Sequence, residues 1–281
     1  MRDGRGLSHG IGYPVAPGGN RADDGRMDVD GFVRDGYTVV RGAFDADTAA
    51  SCRAAIWASL ADQGVRAEDP GTWRPAVRIN TPGGEPFRAA AASPALRAAY
   101  DLLIGPGRWR ADPNVGGTVP VRFPSEAYPG EVGWHIEGSW WGGDGWWANV
   151  HSKDRGLLAL FLFSDVGPDD APTKLILGSH RFAAAALATR GEAGMPGVDV
   201  PGLLRPSTFC RTTADAIGLA GDVYLCHPFI VHTATWPHRG TEPRMMAQPA
   251  IWAEGFPLDG TDPSPVARAI VDGLADDSGA G

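Results

Sequence analysis

The feature that most constrains this chain is a succession of short apolar segments between residues 117 and 252, each closed by Gly or Pro. Strand signals fall at 117–123, 131–138, 156–166, 173–177, 222–226, 230–235 and 244–252. Short strands punctuated by turn residues fold back on one another, which predicts a sandwich or barrel.

Helical signals flank this core. After a strand at Tyr37-Thr38-Val39-Val40, Asp45 or Asp47 can cap a helix that places Ala49, Cys52, Ile56 and Leu60 on one face. Ser93 caps a second helix, with Pro94 in its first turn, Leu96, Ala99, Tyr100 and Leu103 on one side, and a stop at Gly105. A short helix is expected at 181–190, ended by Gly191, and Ser264-Pro265 can start a last helix carrying Val266, Ile270 and Leu274. Residues 192–210 read as an irregular insertion. The fold class is mainly β with flanking helices.

At 281 residues the chain exceeds the usual domain size, yet all-β sandwiches and barrels of this length form one unit. Residues 28–275 are read as a single domain between a flexible N-terminal tail, 1–27, and a C-terminal tail, 276–281. The first tail mixes Gly, Arg and Asp and has too little apolar periodicity to offset the entropy of ordering.

Charge and cysteine content narrow the function classes. A balance of 25 basic to 33 acidic residues, net −8, argues against nucleic acid and against anionic membrane, leaving a small molecule as the expected partner. No stretch approaches the ~18 apolar residues of a spanning helix. Cys52, Cys210 and Cys226 cannot build a disulfide framework, and no leader pattern opens the chain, so a cytoplasmic protein is expected. Oligomeric state cannot be read. There is no internal repeat, P-loop, Gly-x-Gly-x-x-Gly or Cys-x-x-Cys.

His135 and Glu137 are two residues apart in an expected strand, a spacing that turns both side chains to one face. Alone, such a pair is most simply an exposed polar face. Further along, the apolar strand that follows Gly221-Asp222 leads to His232, and Arg244 stands twelve residues later. Two histidines and one carboxylate make the facial set that leaves three positions open on iron(II). An arginine one strand beyond can grip a carboxylate with two prongs, which suits a dicarboxylate cosubstrate. His227 competes with His232, but an odd offset of five turns the two to opposite faces unless Pro228 marks a bulge. His180 is expected to close a turn, and His9, His151 and His238 to lie in loops.

These residues, taken in order, resemble the phytanoyl-CoA dioxygenase superfamily of iron and 2-oxoglutarate enzymes. The resemblance runs from about Phe32 to Trp252 through Phe32-Val33-Arg34-Asp35-Gly36-Tyr37, His135-x-Glu137, Gly178-Ser179-His180, and Gly221-Asp222 leading to His232 and Arg244. It implies a double-stranded β-helix (jelly-roll) core, with His135, Glu137 and His232 as catalytic iron(II) ligands. Arg244 is then the partner of the distal carboxylate of 2-oxoglutarate, assisted by the Thr173 hydroxyl. Two positions depart from the family: its usual Asp is Glu137, and the Ser two residues after the distal histidine is Ala234, so Thr173 has to supply the hydroxyl.

The implied reaction is oxidation of a small organic substrate with O2 as 2-oxoglutarate is converted to succinate and CO2. Halogenating relatives lack the carboxylate, so Glu137 favours hydroxylation, with desaturation or epimerisation as variants. Natural-product tailoring suits such a chain. The competing classes are a non-catalytic jelly-roll binding or sensor protein and a cupin-like metal enzyme without 2-oxoglutarate, neither of which needs Arg244.

Two further features bear on substrate binding. Trp140, Trp141, Trp146 and Trp147, separated by Gly142-Gly143-Asp144-Gly145, read as a loop that either covers the substrate or packs. Arg122 either faces the pocket or is a solvated strand residue, and Arg74 and Arg78 carry the same ambiguity.

Overall fold

A computed structural model describes residues 27–130 and 133–278; residues 1–26 of the expected tail, with His9, residues 131–132 and 279–281 lie outside the described residues. The described chain opens with a helix that the sequence reading does not anticipate, α1 (Val29–Asp35). Asp28 accepts a hydrogen bond from the Gly31 N–H at 2.7 Å, and Gly36, at φ 91°, closes the helix by donating its N–H to the Phe32 carbonyl. Only glycine adopts that left-handed turn without strain.

Strand β1 (Tyr37–Val40) leads to α2 (Ala46–Ala61), capped by Asp45 rather than Asp47, with Ala49, Cys52, Ile56 and Leu60 buried. Then come β2 (Ala76–Asn80), α3 (Glu85–Ala91) and α4 (Pro94–Leu103), whose Ser93 cap and buried face match the sequence reading. The remaining strands and helices are β3 (Trp109–Arg110), β4 (Thr118–Arg122), β5 (Trp140–Trp141), β6 (Trp146–Ala148), β7 (Leu157–Leu162), β8 (Lys174–Ile176), α5 (Ser179–Ala188), β9 (Met195–Pro196), β10 (Thr213–Asp215), β11 (Val223–Cys226), β12 (His232–Thr233), β13 (Met246–Ala247), β14 (Ala250–Ala253) and α6 (Pro265–Ser278).

The largest sheet runs β1-β11-β7-β14-β3, with β13 also paired to β7. The expected strand at 244–252 divides in two because Pro249 has no N–H to give the ladder, although its carbonyl still accepts from Ala159 at 3.0 Å. A second sheet, β10-β8-β12, lies opposite. Two smaller ones, β2-β4 and β5-β6-β9, complete the set of antiparallel ladders.

Strand β7 is buried at every position, so both its faces pack. Leu158, Leu160 and Leu162 join Tyr37, Leu175, Ala214, Tyr224 and Met246 in the cluster between the sheets. Leu157, Ala159 and Phe161 join the larger cluster beneath the helices, with Ile56, Phe87, Leu96 and Ile270. This is a double-stranded β-helix, or jelly roll, whose inner face can be followed residue by residue from strand alternation.

Three expectations need correction. Residues 133–138 do not form a ladder strand; they are extended chain pinned by one bridge, between His135 and His232. At the end of this stretch Gly138 meets Trp146 so closely that an added Cβ would stand 2.4 Å from its backbone. The tryptophan segment is a hairpin, β5 on β6, with Trp140 opposite Trp147 and Trp141 opposite Trp146. The insertion at 192–210 holds β9 and two 3-10 turns, Val200–Leu203 and Pro206–Cys210. No helix among the described residues is long and apolar enough to cross a membrane, and all three cysteines are free thiols.

Candidate metal centre

The bridge that pins residue 135 brings the first histidine to the second. The His135 N–H donates to the His232 carbonyl at 3.0 Å and the His232 N–H returns a bond of 3.0 Å. His232 is also opposite Leu175 of β8, which lies in the inner cluster, so both imidazoles point into the jelly roll. Their ring centroids are 4.3 Å apart.

Each ring is oriented by its own backbone. Nδ1 of His135 faces the Gly133 carbonyl at 2.8 Å, and Nδ1 of His232 faces the Ile230 carbonyl at 3.1 Å. A carbonyl only accepts, so each Nδ1 carries the hydrogen and each Nε2 presents a lone pair. The Glu137 Oε1 lies 3.8 Å from Nε2 of His135 and 3.5 Å from Nε2 of His232. Buried Nε2 of His232 has no hydrogen-bond partner. One ligand atom from each of the three residues falls within 4.8 Å of the others. Three lone-pair donors converging in this way fit a cation.

The electrostatics suit ligation. Burial pushes the Glu137 carboxyl upward, but the two imidazoles and the Arg155 guanidinium outweigh it and hold the group well below the usual carboxylate range. Burial, then the neighbouring His135, keeps His232 low; at His135 burial acts the same way, but the Glu137 carboxylate overcomes it and raises the group. An ionised carboxylate beside a neutral buried imidazole is the protonation state that a metal requires.

The other sequence candidates fall in three places. Arg122 is buried, not solvated, and forms a bridge with Arg244 through backbone bonds of 3.0 and 2.8 Å. Arg244 alternates with inner-face Met246, so both arginines point inward, and Arg244 Nη1 donates to the Ala171 carbonyl at 2.6 Å. Thr173 is buried and alternates with inner-face Leu175, so it looks into the same interior from the opposite sheet. Trp140 is half-buried under Lys153, whose Nζ stands 5.6 Å from its ring, while Trp141 is 60 % exposed.

The other described histidines lie outside the triad. His227 is buried against α6, with its Nδ1 accepting from the Phe229 N–H at 3.1 Å and its Nε2 facing the Val266 carbonyl at 3.3 Å, so both nitrogens are engaged away from the triad. His180 does not close a turn but sits buried in the first turn of α5, with Nε2 facing the Val33 carbonyl at 3.0 Å. His238 lies outside the helices and strands, as expected, but is buried there, 3.9 Å from Asp170. His151 is in a turn, as expected, facing the Phe256 carbonyl.

Beside the triad lies a cleft of about 340 Å³ lined by Glu137, Arg78, Asp112, Trp146, Arg155 and Trp252, among others. Arg155 escapes sequence reading, because it precedes β7 and reaches the centre only through the fold; its Nε donates to the Gly138 carbonyl at 3.0 Å. Of the tryptophan pairs it is Trp146, not Trp140 or Trp141, that lines this cleft.

No protein-family model matches the chain, and no curated protein matches it. Solved structures do. The non-heme alpha ketoglutarate dependent epimerase SnoN from nogalamycin biosynthesis is 19% identical over 80% of this chain and 81% of its own, with a TM-score of 0.56. The carbocyclase SnoK from the same biosynthesis is 17% identical over 85% and 87%, at 0.52. HygX from Streptomyces hygroscopicus, with nickel and 2-oxoglutarate bound, is 20% identical over 80% and 85%, at 0.51. At such identities the likeness establishes the shared jelly-roll fold.

Proposed function

We propose that this chain is an Fe(II)- and 2-oxoglutarate-dependent dioxygenase of the phytanoyl-CoA dioxygenase superfamily that hydroxylates a small organic molecule in natural-product biosynthesis. The observation that carries the proposal is the convergence of His135, Glu137 and His232, with both Nδ1 atoms tied to backbone carbonyls and one ligand atom from each residue within 4.8 Å of the others. His135, Glu137 and His232 would hold iron(II). Arg244, with Thr173, would hold the distal carboxylate of 2-oxoglutarate. When bound, the metal and cosubstrate supply the oxidising chemistry with O2.

The chain's own residues supply placement. The carbonyls of Gly133 and Ile230 fix the imidazoles, and His135, His232 and, after them, the charge of Arg155 hold Glu137 ionised. Because Glu137 occupies a ligand position, no place is left there for a halide, which favours hydroxylation over chlorination. Support for the cosubstrate comes from the neighbours: SnoN is known in complex with Fe3+, alpha ketoglutarate and nogalamycin RO, and HygX with nickel and 2-oxoglutarate. Free thiols at Cys52, Cys210 and Cys226 accord with work in the reducing cytoplasm, and residues 28–275 are taken as its single domain.

Anaerobic titration tests this. Iron(II) followed by 2-oxoglutarate should bind one to one per chain and give a visible charge-transfer absorption, which Arg244→Lys shifts to higher cosubstrate concentration. Failure of the full chain to bind iron(II) refutes the proposal.

A further inference from the structure

The tryptophan hairpin turns one pair of rings to each of its faces. Trp140 and Trp147 are opposite each other and half-buried, Trp140 beneath Lys153 and Trp147 with its Nε1 donating to Asp144 at 2.8 Å. Trp141 and Trp146 make the other pair, 60 % and 52 % exposed, with ring centroids 6.0 Å apart and an interplanar angle of 81°. Trp146 also lines the cleft beside Glu137, so the exposed pair continues the wall of that cleft out towards solvent.

Backbone bonds hold these rings in place. The Gly142 N–H donates to the Gly145 carbonyl at 2.8 Å across the turn, and on the far side of β6 the Gly197 N–H donates to the Trp146 carbonyl at 2.9 Å. The Ser139 N–H donates to the Trp147 carbonyl at 2.6 Å, which joins the hairpin to the chain two residues beyond Glu137. An added Cβ at Gly142 would stand 2.3 Å from the Trp147 ring, so the turn is closely fitted. An aromatic surface fixed in advance binds without the cost of ordering it. The one polar side chain of the turn, Asp144, is taken by Trp147, so what the pair presents is apolar ring.

The cleft itself is small. Its volume of about 340 Å³ stands at the lower end of ligand sites, and Asp112, Thr118 and Gln248 give it a partly polar lining. Resting on the dioxygenase reading above, we propose that the substrate is a two-part molecule, with a polar portion that enters the cleft beside Glu137 and a flat apolar ring system that lies outside it on Trp141 and Trp146.

The experiment uses the full chain loaded with nickel(II) and 2-oxoglutarate, titrated under ligand-observed NMR with 2-naphthyl β-D-glucopyranoside and, separately, methyl β-D-glucopyranoside, which lacks the flat ring. Covering roughly 60 Å² of indole is worth about tenfold, so the naphthyl compound should bind about tenfold more tightly. Trp146→Ala should bring the ratio close to one. Trp141→Ala, at the more exposed ring and without risk to folding, should reduce it about threefold, and Trp236→Ala, an exposed ring paired with Tyr128 instead, should leave it unchanged. Equal affinities in the wild type, no binding of either probe, a ratio unchanged in both hairpin variants, or a ratio lost equally in Trp236→Ala overturns the proposal. So does a dimer that Trp141→Ala converts to monomer, which would make a second copy of the chain the occupant of the pair. Metal and 2-oxoglutarate binding, measured in the same samples, report on the dioxygenase reading separately, because the ratio of the two probes can be read whether or not they bind.

Discussion

Acidification should unfold this protein through a histidine far from the triad. His180 is fully buried in α5, with its Nδ1 unpartnered and the His227 ring 4.8 Å away. Burial first, then the charges of Arg181 and Arg211, bring it from 6.5 down to about 4, against the opposing pull of the Val33 carbonyl and Asp35. In the unfolded chain the same ring takes its proton near 6.5. Between those values the unfolded state holds more protons, so this contribution is complete above about pH 6.5 and is lost as pH falls towards about 4. At 1.36 kcal/mol per unit, the loss is about 3 kcal/mol, a large share of ordinary domain stability. Urea unfolding of the metal-free chain and of His180→Gln, from about pH 7 to about pH 4.5, measures it. The wild type should lose stability relative to the variant by roughly 2–3 kcal/mol across that window. A difference between the two proteins that does not change with pH refutes the reasoning, because carboxylates titrate alike in both.

Other outcomes follow from the same geometry. His135→Ala and His232→Ala should each abolish iron in the purified protein, whereas His227→Ala, with its nitrogens engaged by Phe229 and Val266, should retain it; elemental analysis decides. Arg244→Lys should raise the half-saturating 2-oxoglutarate concentration by about tenfold or more while the melting temperature moves little, since a point charge replaces a two-pronged donor. Trp141→Ala, at a 60 % exposed ring, should cost less than about 1 kcal/mol in urea unfolding, while Phe161→Ala, 2 % exposed between helices and sheet, should cost about 3–5 kcal/mol.

Much of this was legible because periodic burial writes itself into sequence. Ala49, Cys52, Ile56 and Leu60 are spaced for one helical face and are all buried, and the unbroken apolar run of β7 is a strand covered on both sides. The triad spacing was legible for a partly wrong reason: His135 and Glu137 do approach each other, but through a single bridge to His232 and not a ladder strand. Helix α1 escaped because it is only seven residues long and its cap, Asp28, stands in an acidic stretch that offers several. The tryptophan hairpin did leave a signal, two Trp pairs symmetric about Gly142-Gly143-Asp144-Gly145, in which Gly142 and Gly145 close the turn with a 2.8 Å bond. Arg155 and Trp252 left none, since what matters about them is distance in space across many residues of chain.

The central claim is tested most directly by succinate. Full-length protein with iron(II), 2-oxoglutarate and O2, screened against a metabolite library, should form succinate above a metal-free control, faster with a substrate present, and His232→Ala should abolish it. A chain that binds iron and 2-oxoglutarate yet forms no succinate with any library member, or a His232→Ala variant that forms it as well as the wild type, would contradict the assignment.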